Sequence, residues 1–172
     1  MTAVQTEYSV FTRDIERASG TELLATCREL GVALVIATPL GRGMLTSTFS
    51  RGEAVGDDAD MRPRVMPRFL EANREQNTKV VGEFKKLADK KRCSVSQLAL
   101  AWLLKQGTDI FPIPGTKQLK YLEENSAAVN ILLSDEEDAE IKILGDTTEI
   151  AGGTTPPQFA SHVYRNTKEA SS

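Results

Sequence analysis

Cysteine and histidine are scarce in this sequence, and their scarcity excludes several kinds of chemistry. The 172 residues include two cysteines and one histidine. Cys27 and Cys93 are far apart and flank predicted helices, so we interpret them as buried thiols and not as a disulfide or a metal site. His162 lies near the C-terminus of the sequence, where a surface role is expected. The sequence therefore predicts no metal centre.

Long apolar runs and an excess of one charge are also missing. The 21 basic and 24 acidic residues are interspersed, and a formal net charge of −3 favours neither nucleic acid nor an acidic membrane surface as a partner. No apolar stretch approaches the roughly 20 residues of a membrane span, and the N-terminus lacks a basic segment followed by an apolar one. We expect a cytoplasmic protein that forms a single domain over residues 1–172.

The middle of the chain contains the strongest local signals. Ser94 and Gln97 form a predicted capping box at the start of a helix. An apolar helical face follows, and Gly107 is predicted to end the helix in the left-handed conformation. The run 110–113 is typical of a short strand that is covered on both faces.

A turn then connects this strand to a second helix. Pro112 cannot donate a ladder hydrogen bond, so the strand must end near it. Residues 114–117, with the sequence Pro-Gly-Thr-Lys, offer free amides, a hydroxyl and a cation at a helix start, which would suit a phosphate. An ordinary polar turn between a strand and a helix explains the same spacing, and both interpretations stay open.

Strands and helices alternate in the rest of the chain. Residues 3–10 and 32–36 are predicted strands. Residues 21–30 are predicted to form an amphipathic helix between them, with Leu30 on its apolar face and Gly31 at its end. This alternation predicts an α/β fold built from right-handed βαβ units. Residues 45–67 show no periodicity and are predicted to be a loop. Two further helices, over 69–91 and 134–144, precede a tail that we expect to be irregular over 145–172. The second of these helices is predicted to begin with a capping box at Ser134.

Three ordered blocks of sequence resemble the aldo-keto reductase family. They are Val4–Ser9, Thr38–Gly43 and Ser96–Asn125, the last containing SQLALAWLL, IPGT and LEEN. The resemblance runs from about Thr2 to Leu144 and covers only the C-terminal half of that family's barrel, strands six to eight. It implies a partial (β/α)8 TIM barrel of aldo-keto reductase type, with about three parallel strands and flanking helices in one truncated domain.

The resemblance also implies a binding site for NADP(H). Gln5 matches the residue that bonds the nicotinamide amide, and Thr116 and Lys117 match the grip on the adenosine 2′-phosphate. The other implied contacts are Leu40, Gly41 and Arg42 with the pyrophosphate, and Tyr121, Glu124 and Asn125 with the adenine. Ala37 and Tyr121 depart from the family, which has a tyrosine beneath the nicotinamide and an arginine for the phosphate. These departures predict weakened or lost NADP(H) binding.

The implied activity is NADPH-dependent reduction of aldehydes and ketones. In the family, a tyrosine donates the proton with help from Asp, Lys and His, and these residues lie in the barrel half that this sequence does not match. The resemblance therefore implies a truncated homologue, with a small carbonyl compound as the family substrate, that is not competent for this reduction alone.

Two alternatives stay open. The first is a cofactor-independent isomerase, dehydratase or cyclase on a repurposed half-barrel. Its candidate catalytic residues, near or beyond a strand end where barrel sites form, are Glu7, Tyr8, Asp14 and His162. The second is a non-catalytic binding module that self-associates. Three parallel strands leave two edges to cover, so we expect either a homo-oligomer or pairing with the missing barrel half.

Overall fold

The fold is built on one parallel sheet. The computed structural model describes residues 1–18, 20–53 and 59–162, the last three by their backbone alone. The strands of this part of the chain are β1 (Ala3–Glu7), β2 (Ala33–Ala37) and β3 (Ile110–Pro112), in the order β1-β2-β3. Helical crossovers join successive strands, as parallel pairing requires. The predicted α/β class is confirmed.

Helices pack against this sheet and against each other. The α-helices of the described residues are α1 (Leu23–Glu29), α2 (Ser47–Ser50), α3 (Arg62–Val65), α4 (Glu71–Lys91), α5 (Val95–Lys105), α6 (Leu119–Ala127) and α7 (Asp135–Thr147). Short 3-10 helices lie at Asp14–Glu16, Gly41–Gly43, Pro67–Phe69, Ala128–Asn130 and Pro157–His162. Among the described helices, none combines the length and the apolar composition that crossing a membrane requires.

One face of the sheet is covered and the other is open. Leu34 and Ile36 of β2 are fully buried in the hydrophobic core on the covered face. On the opposite face, the strand register aligns Gln5 with Val35 and Val35 with Phe111. Phe111 is 52% exposed. The prediction that the strand of residues 110–113, now β3, is covered on both faces was wrong, because the helices of the described chain cover only one face of the sheet.

Helix α5 lies at the centre of the core. The predicted capping box is present: the hydroxyl of Ser94 accepts from the amide of Gln97 at 3.2 Å, and the side-chain oxygen of Gln97 accepts from the amide of Ser94 at 3.0 Å. Nearly every residue of α5 is buried, including Trp102. The helix packs against α4, α6, α7 and β3.

Gly107 is needed for space and not for a left-handed turn. Helix α5 ends at Lys105, and Gly107 does not have a positive φ, so the predicted left-handed end was wrong. A Cβ atom at Gly107 would lie 2.2 Å from Oδ1 of Asp109 and 2.6 Å from Nη2 of Arg28. These two side chains form an ion pair, with 2.9 Å between Nε and Oδ2, that joins α1 to the start of β3.

Two details near the N-terminus also differ from prediction. Strand β1 ends at Glu7, earlier than predicted, because Ser9 and Thr12 exchange backbone hydrogen bonds of 3.1 and 3.0 Å and turn the chain. The predicted apolar face of α1 included Leu30, which is 69% exposed. Gly31, with φ of +64°, follows the helix as predicted.

Residues 45–67 are more ordered than the predicted loop. Their described part contains α2, α3 and the start of a 3-10 helix. The carboxylate of Asp60 binds Arg62, whereas Asp57 and Asp58 lie outside the described residues. Where the structure is described, no three His, Cys, Asp or Glu side chains are grouped to hold a metal ion. Both cysteine thiols are free.

The segment after α7 is fixed to α4 by one buried side chain. Asn77 donates to the carbonyl oxygens of Arg68 and Ala151 at 2.8 and 2.9 Å, and it accepts from the amide of Ala151 at 2.8 Å. Helix α7 has the predicted Ser134 capping box and continues to Thr147. The predicted irregular tail therefore starts later than expected and is anchored soon after α7 ends.

Tyr8 is a buried polar residue in the core. Its ring centroid lies 5.3 Å from that of Trp102, and its hydroxyl donates to the carboxylate of Glu16. The second oxygen of that carboxylate accepts from Nε of Arg13 at 2.8 Å. Burial, and next the negative charge of Glu16, raise the pKa of Tyr8 above its usual value. The protonated phenol is therefore the form that the fold stabilises.

This raised pKa predicts a loss of stability at alkaline pH. The folded chain keeps a proton on Tyr8 that the unfolded chain loses above a pKa of about 10. Above that pH, the free energy of unfolding should fall by about 1.4 kcal/mol per pH unit more than in Tyr8→Phe. Urea unfolding of both proteins from about pH 8 to about pH 11 measures the difference. Parallel pH profiles would contradict the prediction.

Candidate functional site

A cleft opens where β2 and β3 end. Its volume is about 600 Å³, within the range of small-molecule sites, and it lies between the turn after β2 and the start of α6. Most of the residues that the sequence predicted for cofactor binding line it, namely Leu40, Arg42, Thr116, Tyr121, Glu124 and Asn125. The structure thus brings together two segments that are about 80 residues apart in the chain.

The other predicted cofactor residues lie outside this cleft. Gln5 is on the open face of β1, and Gly41 lines a small neighbouring cavity together with Glu7. Lys117 is exposed and is not part of the cleft wall. Ala37 ends β2 on the same open face, paired in register with Glu7.

The turn after β2 has an unusual backbone. Thr38, Gly41, Arg42 and Gly43 all have positive φ, of 53°, 56°, 58° and 98°. Hydrogen bonds from the amide of Gly41 to the carbonyl of Thr38, at 2.9 Å, and from Gly43 to Leu40, at 3.0 Å, hold the turn. A left-handed conformation costs a β-branched residue such as threonine about 1–3 kcal/mol, and such strain is typical of binding sites.

Two arginines make the β2 side of the cleft cationic. Nη2 of Arg42 lies 2.6 Å from Oε1 of Glu7. Arg62 pairs with Asp60 at 2.6 Å and donates to the backbone carbonyl of Arg42 at 2.5 Å. The Arg62 guanidinium holds the pKa of Asp60 below its usual range. Because a guanidinium has five donors, both arginines retain donors for an anionic ligand.

The α6 side of the cleft carries no such charge. The hydroxyl of Thr116 accepts from the amide of Gln118 at 3.1 Å. The carboxylate of Glu124 accepts from the hydroxyl of Ser94 at 2.5 Å. Tyr121 is partly exposed, and within the described residues no lysine or arginine lines this side. The two walls therefore differ in charge, with arginines on one and a carboxylate on the other.

Arg62 and Arg68 were missed by the sequence reasoning. Arg62 lies in the segment that was predicted to be a loop and Arg68 directly follows it, and the contact of Arg62 with Arg42 spans 20 residues. Arg68 donates to the carbonyl of Phe11 at 3.1 Å and to the hydroxyl of Thr12 at 2.8 Å, and burial lowers the pKa of Arg68. No pattern among neighbouring residues in the sequence indicates these long-range contacts.

The candidate residues for cofactor-independent catalysis whose side chains the structure describes are not brought together. Tyr8 is buried and bound to Glu16, and Glu7 is paired with Arg42. Asp14 is exposed and lines a separate cavity with Arg13 and Arg17. The side chain of the fourth candidate, His162, lies outside the described residues. Glu7, Tyr8 and Asp14 do not form one acid–base site, and that activity stays a hypothesis.

The chain is similar in sequence to known aldo-keto reductases. The sequence model of the Aldo/keto reductase family matches residues 1–146. The NADP(+) aldo-keto reductase yakc of Schizosaccharomyces pombe is 40% identical over 167 residues, which are 97% of this chain and 48% of that protein. Aldo-keto reductase str7 of Strobilurus tenacellus is 43% identical over 150 residues, 87% of this chain and 44% of that protein.

A solved structure shows the same fold. The glycerol dehydrogenase AKR11B4 from Gluconobacter oxydans superimposes with a TM-score of 0.69 at 23% identity, over 99% of this chain and 46% of that one. The described sheet and helices thus correspond to part of a TIM barrel, and the chain spans about half the length of the curated relatives that it matches. With the family sequence model matching most of its length, this chain belongs to the aldo/keto reductase family.

Proposed function

We propose that this chain is the cofactor-binding part of an NADP(H)-dependent aldo-keto reductase, equivalent to strands six to eight of the barrel. We further propose that it does not reduce aldehydes or ketones alone. The observation that supports this proposal is the cleft, which Arg42 of the turn after β2 lines on one side and Thr116 and Glu124 line on the other. The NADP(+) in the name of the relative yakc supports the choice of cofactor.

The charge of the cleft suggests how a dinucleotide would be held. Arg42 and Arg62 would bind the diphosphate, because guanidinium donors pair well with phosphate oxygens. On the other wall, Tyr121 offers a ring on which a base can stack, and Glu124 and Asn125 offer hydrogen-bonding groups. The volume and the donor set therefore fit an adenine dinucleotide.

The nicotinamide end of the proposed site is open in this chain. Gln5, the proposed partner of the nicotinamide amide, lies on the open face of the sheet. Ala37 stands beside Glu7 on that face and supplies no ring for stacking. When bound, the cofactor would supply hydride. The described residues bind and orient the cofactor, and the proton donor of the family belongs to the other barrel half.

Arg62 and Arg64 provide a matched test of the cationic wall. Both lie in the short helix α3, but Arg62 lines the cleft and Arg64 does not. Arg62→Ala should weaken NADPH binding by about tenfold or more, because a charge-assisted hydrogen bond contributes about 1.5–3 kcal/mol. Arg64→Ala should leave the dissociation constant unchanged. Isothermal titration calorimetry with NADPH measures both.

Two results would count against this proposal. If the unsubstituted chain does not bind NADPH at millimolar concentration, the cofactor role fails. If both alanine variants lose affinity equally, the effect comes from general charge and not from the cleft. Saturable turnover of a substrate without a nicotinamide cofactor would instead favour the cofactor-independent alternative.

We also propose that the open face of the sheet is covered by a polypeptide that supplies the other strands of the barrel. Phe111 and Ile113 are 52% and 50% exposed on or beside this face, and β1 and β3 are edge strands. Unpaired parallel edges and an exposed apolar face are normally covered. The curated relatives are about twice as long as the matched chain, which favours a half-barrel as the occupant.

A mixing experiment tests this surface. The N-terminal half of yakc, produced as a separate chain, should form a one-to-one complex with this protein in analytical ultracentrifugation. Phe111→Asp should abolish the complex, since it places a charge on the apolar face. Leu132→Asp is the control, because Leu132 is 83% exposed and lies outside the sheet. Complex formation by both variants, or a homodimer that excludes the added half, would refute the proposed surface.

A further inference from the structure

We infer that the cleft recognises the diphosphate and adenosine of a nicotinamide dinucleotide without recognising a 2′-phosphate, so that NADPH is not preferred over NADH. This inference rests on the proposed function and narrows it. It differs from what the resemblance implies, namely that Thr116 and Lys117 bind the 2′-phosphate. The observations behind it are the hydrogen bonds and charges of the α6 wall.

The groups available to a 2′-phosphate near that wall are already hydrogen-bonded or do not line the cleft. The hydroxyl of Thr116 accepts from the amide of Gln118 and lies 3.4 Å from the carbonyl of the same residue. Lys117 is exposed and does not line the cleft. The ammonium of Lys120 lies 4.6 Å from the ring centroid of Tyr121, outside the cleft lining. Among the described residues, the cations of the cleft are therefore Arg42 and Arg62.

The α6 wall instead carries an acceptor that favours a hydroxyl. The Glu124 carboxylate lines the cleft and is held in place by the Ser94 hydroxyl at 2.5 Å. In Rossmann-type dinucleotide sites, which show the chemistry of this choice, a carboxylate accepts from the free ribose hydroxyl of NAD, whereas an arginine accommodates the phosphate of NADP. A phosphate close to Glu124 would be repelled, because both groups are anionic. Tyr121 can stack on a base but cannot pair with a phosphate.

The described cleft thus offers cations to the diphosphate of the proposed ligand but not to its 2′-phosphate. The diphosphate is common to NADH and NADPH and would meet Arg42 and Arg62 in either case. The 2′-phosphate is present in NADPH alone and would meet no cation on the α6 wall of the described cleft. We therefore expect NADPH to bind no more than about threefold more tightly than NADH, because the described wall offers the 2′-phosphate no charge-assisted partner, which would contribute about tenfold or more in affinity.

Calorimetric titration of the whole chain with NADPH and NADH, at one fixed salt concentration, tests this inference. Tyr121→Arg should raise the affinity for NADPH relative to NADH by about tenfold or more, because it places a phosphate partner on the α6 wall. Tyr121→Phe is the matched control and should keep the ratio of the unsubstituted chain. Lys117→Ala should change neither constant. Fluorescence of Trp102 verifies that each variant is folded.

The outcomes separate this inference from the proposed function. NADPH binding at least about tenfold tighter than NADH, with the preference lost in Lys117→Ala, overturns the inference and leaves the proposed function intact. Failure of both dinucleotides to bind overturns both. A gain of NADPH affinity in Glu124→Gln, with NADH weakened, supports the assigned role of the carboxylate, whereas equal changes for the two ligands contradict it.

Discussion

The burial of helix α5 is the constraint on which the structure depends. Its apolar residues need contacts on nearly every side, and β3, α4, α6 and α7 supply them. The same helix reaches the cleft through its cap, because the hydroxyl of Ser94 both caps α5 and donates to the carboxylate of Glu124. The position of a cleft side chain is therefore tied directly to the packing of the core.

Features that depend on neighbouring residues were predicted well. The capping boxes that begin at Ser94 and Ser134, and the left-handed Gly31 after α1, follow from short patterns whose partners lie within one turn. The strands of the sheet were recognised for the same reason, since alternation and aliphatic runs are local. Most of the cofactor-binding residues that the resemblance implied, such as Arg42 and Glu124, line the cleft.

Features that depend on distant partners could not be predicted. Gly107 is explained by the ion pair between Arg28 and Asp109, which spans 81 residues. The anchoring of the segment after α7 depends on Asn77, which bonds to a backbone 74 residues away. Arg62 reaches the cleft from a segment without periodicity. In each case a side chain contacts a residue that is distant in the sequence. The residue pattern of a single helix or strand does not predict such a contact.

Trp102 has a consequence for spectroscopy. It is the single tryptophan, it is fully buried beside Tyr8, and among the described residues its indole Nε1 has no hydrogen-bond partner. Its emission should therefore be that of a buried indole, and a red shift would signal that water has entered the core. Because Trp102 does not line the cleft, this signal reports the integrity of α5 separately from ligand contact.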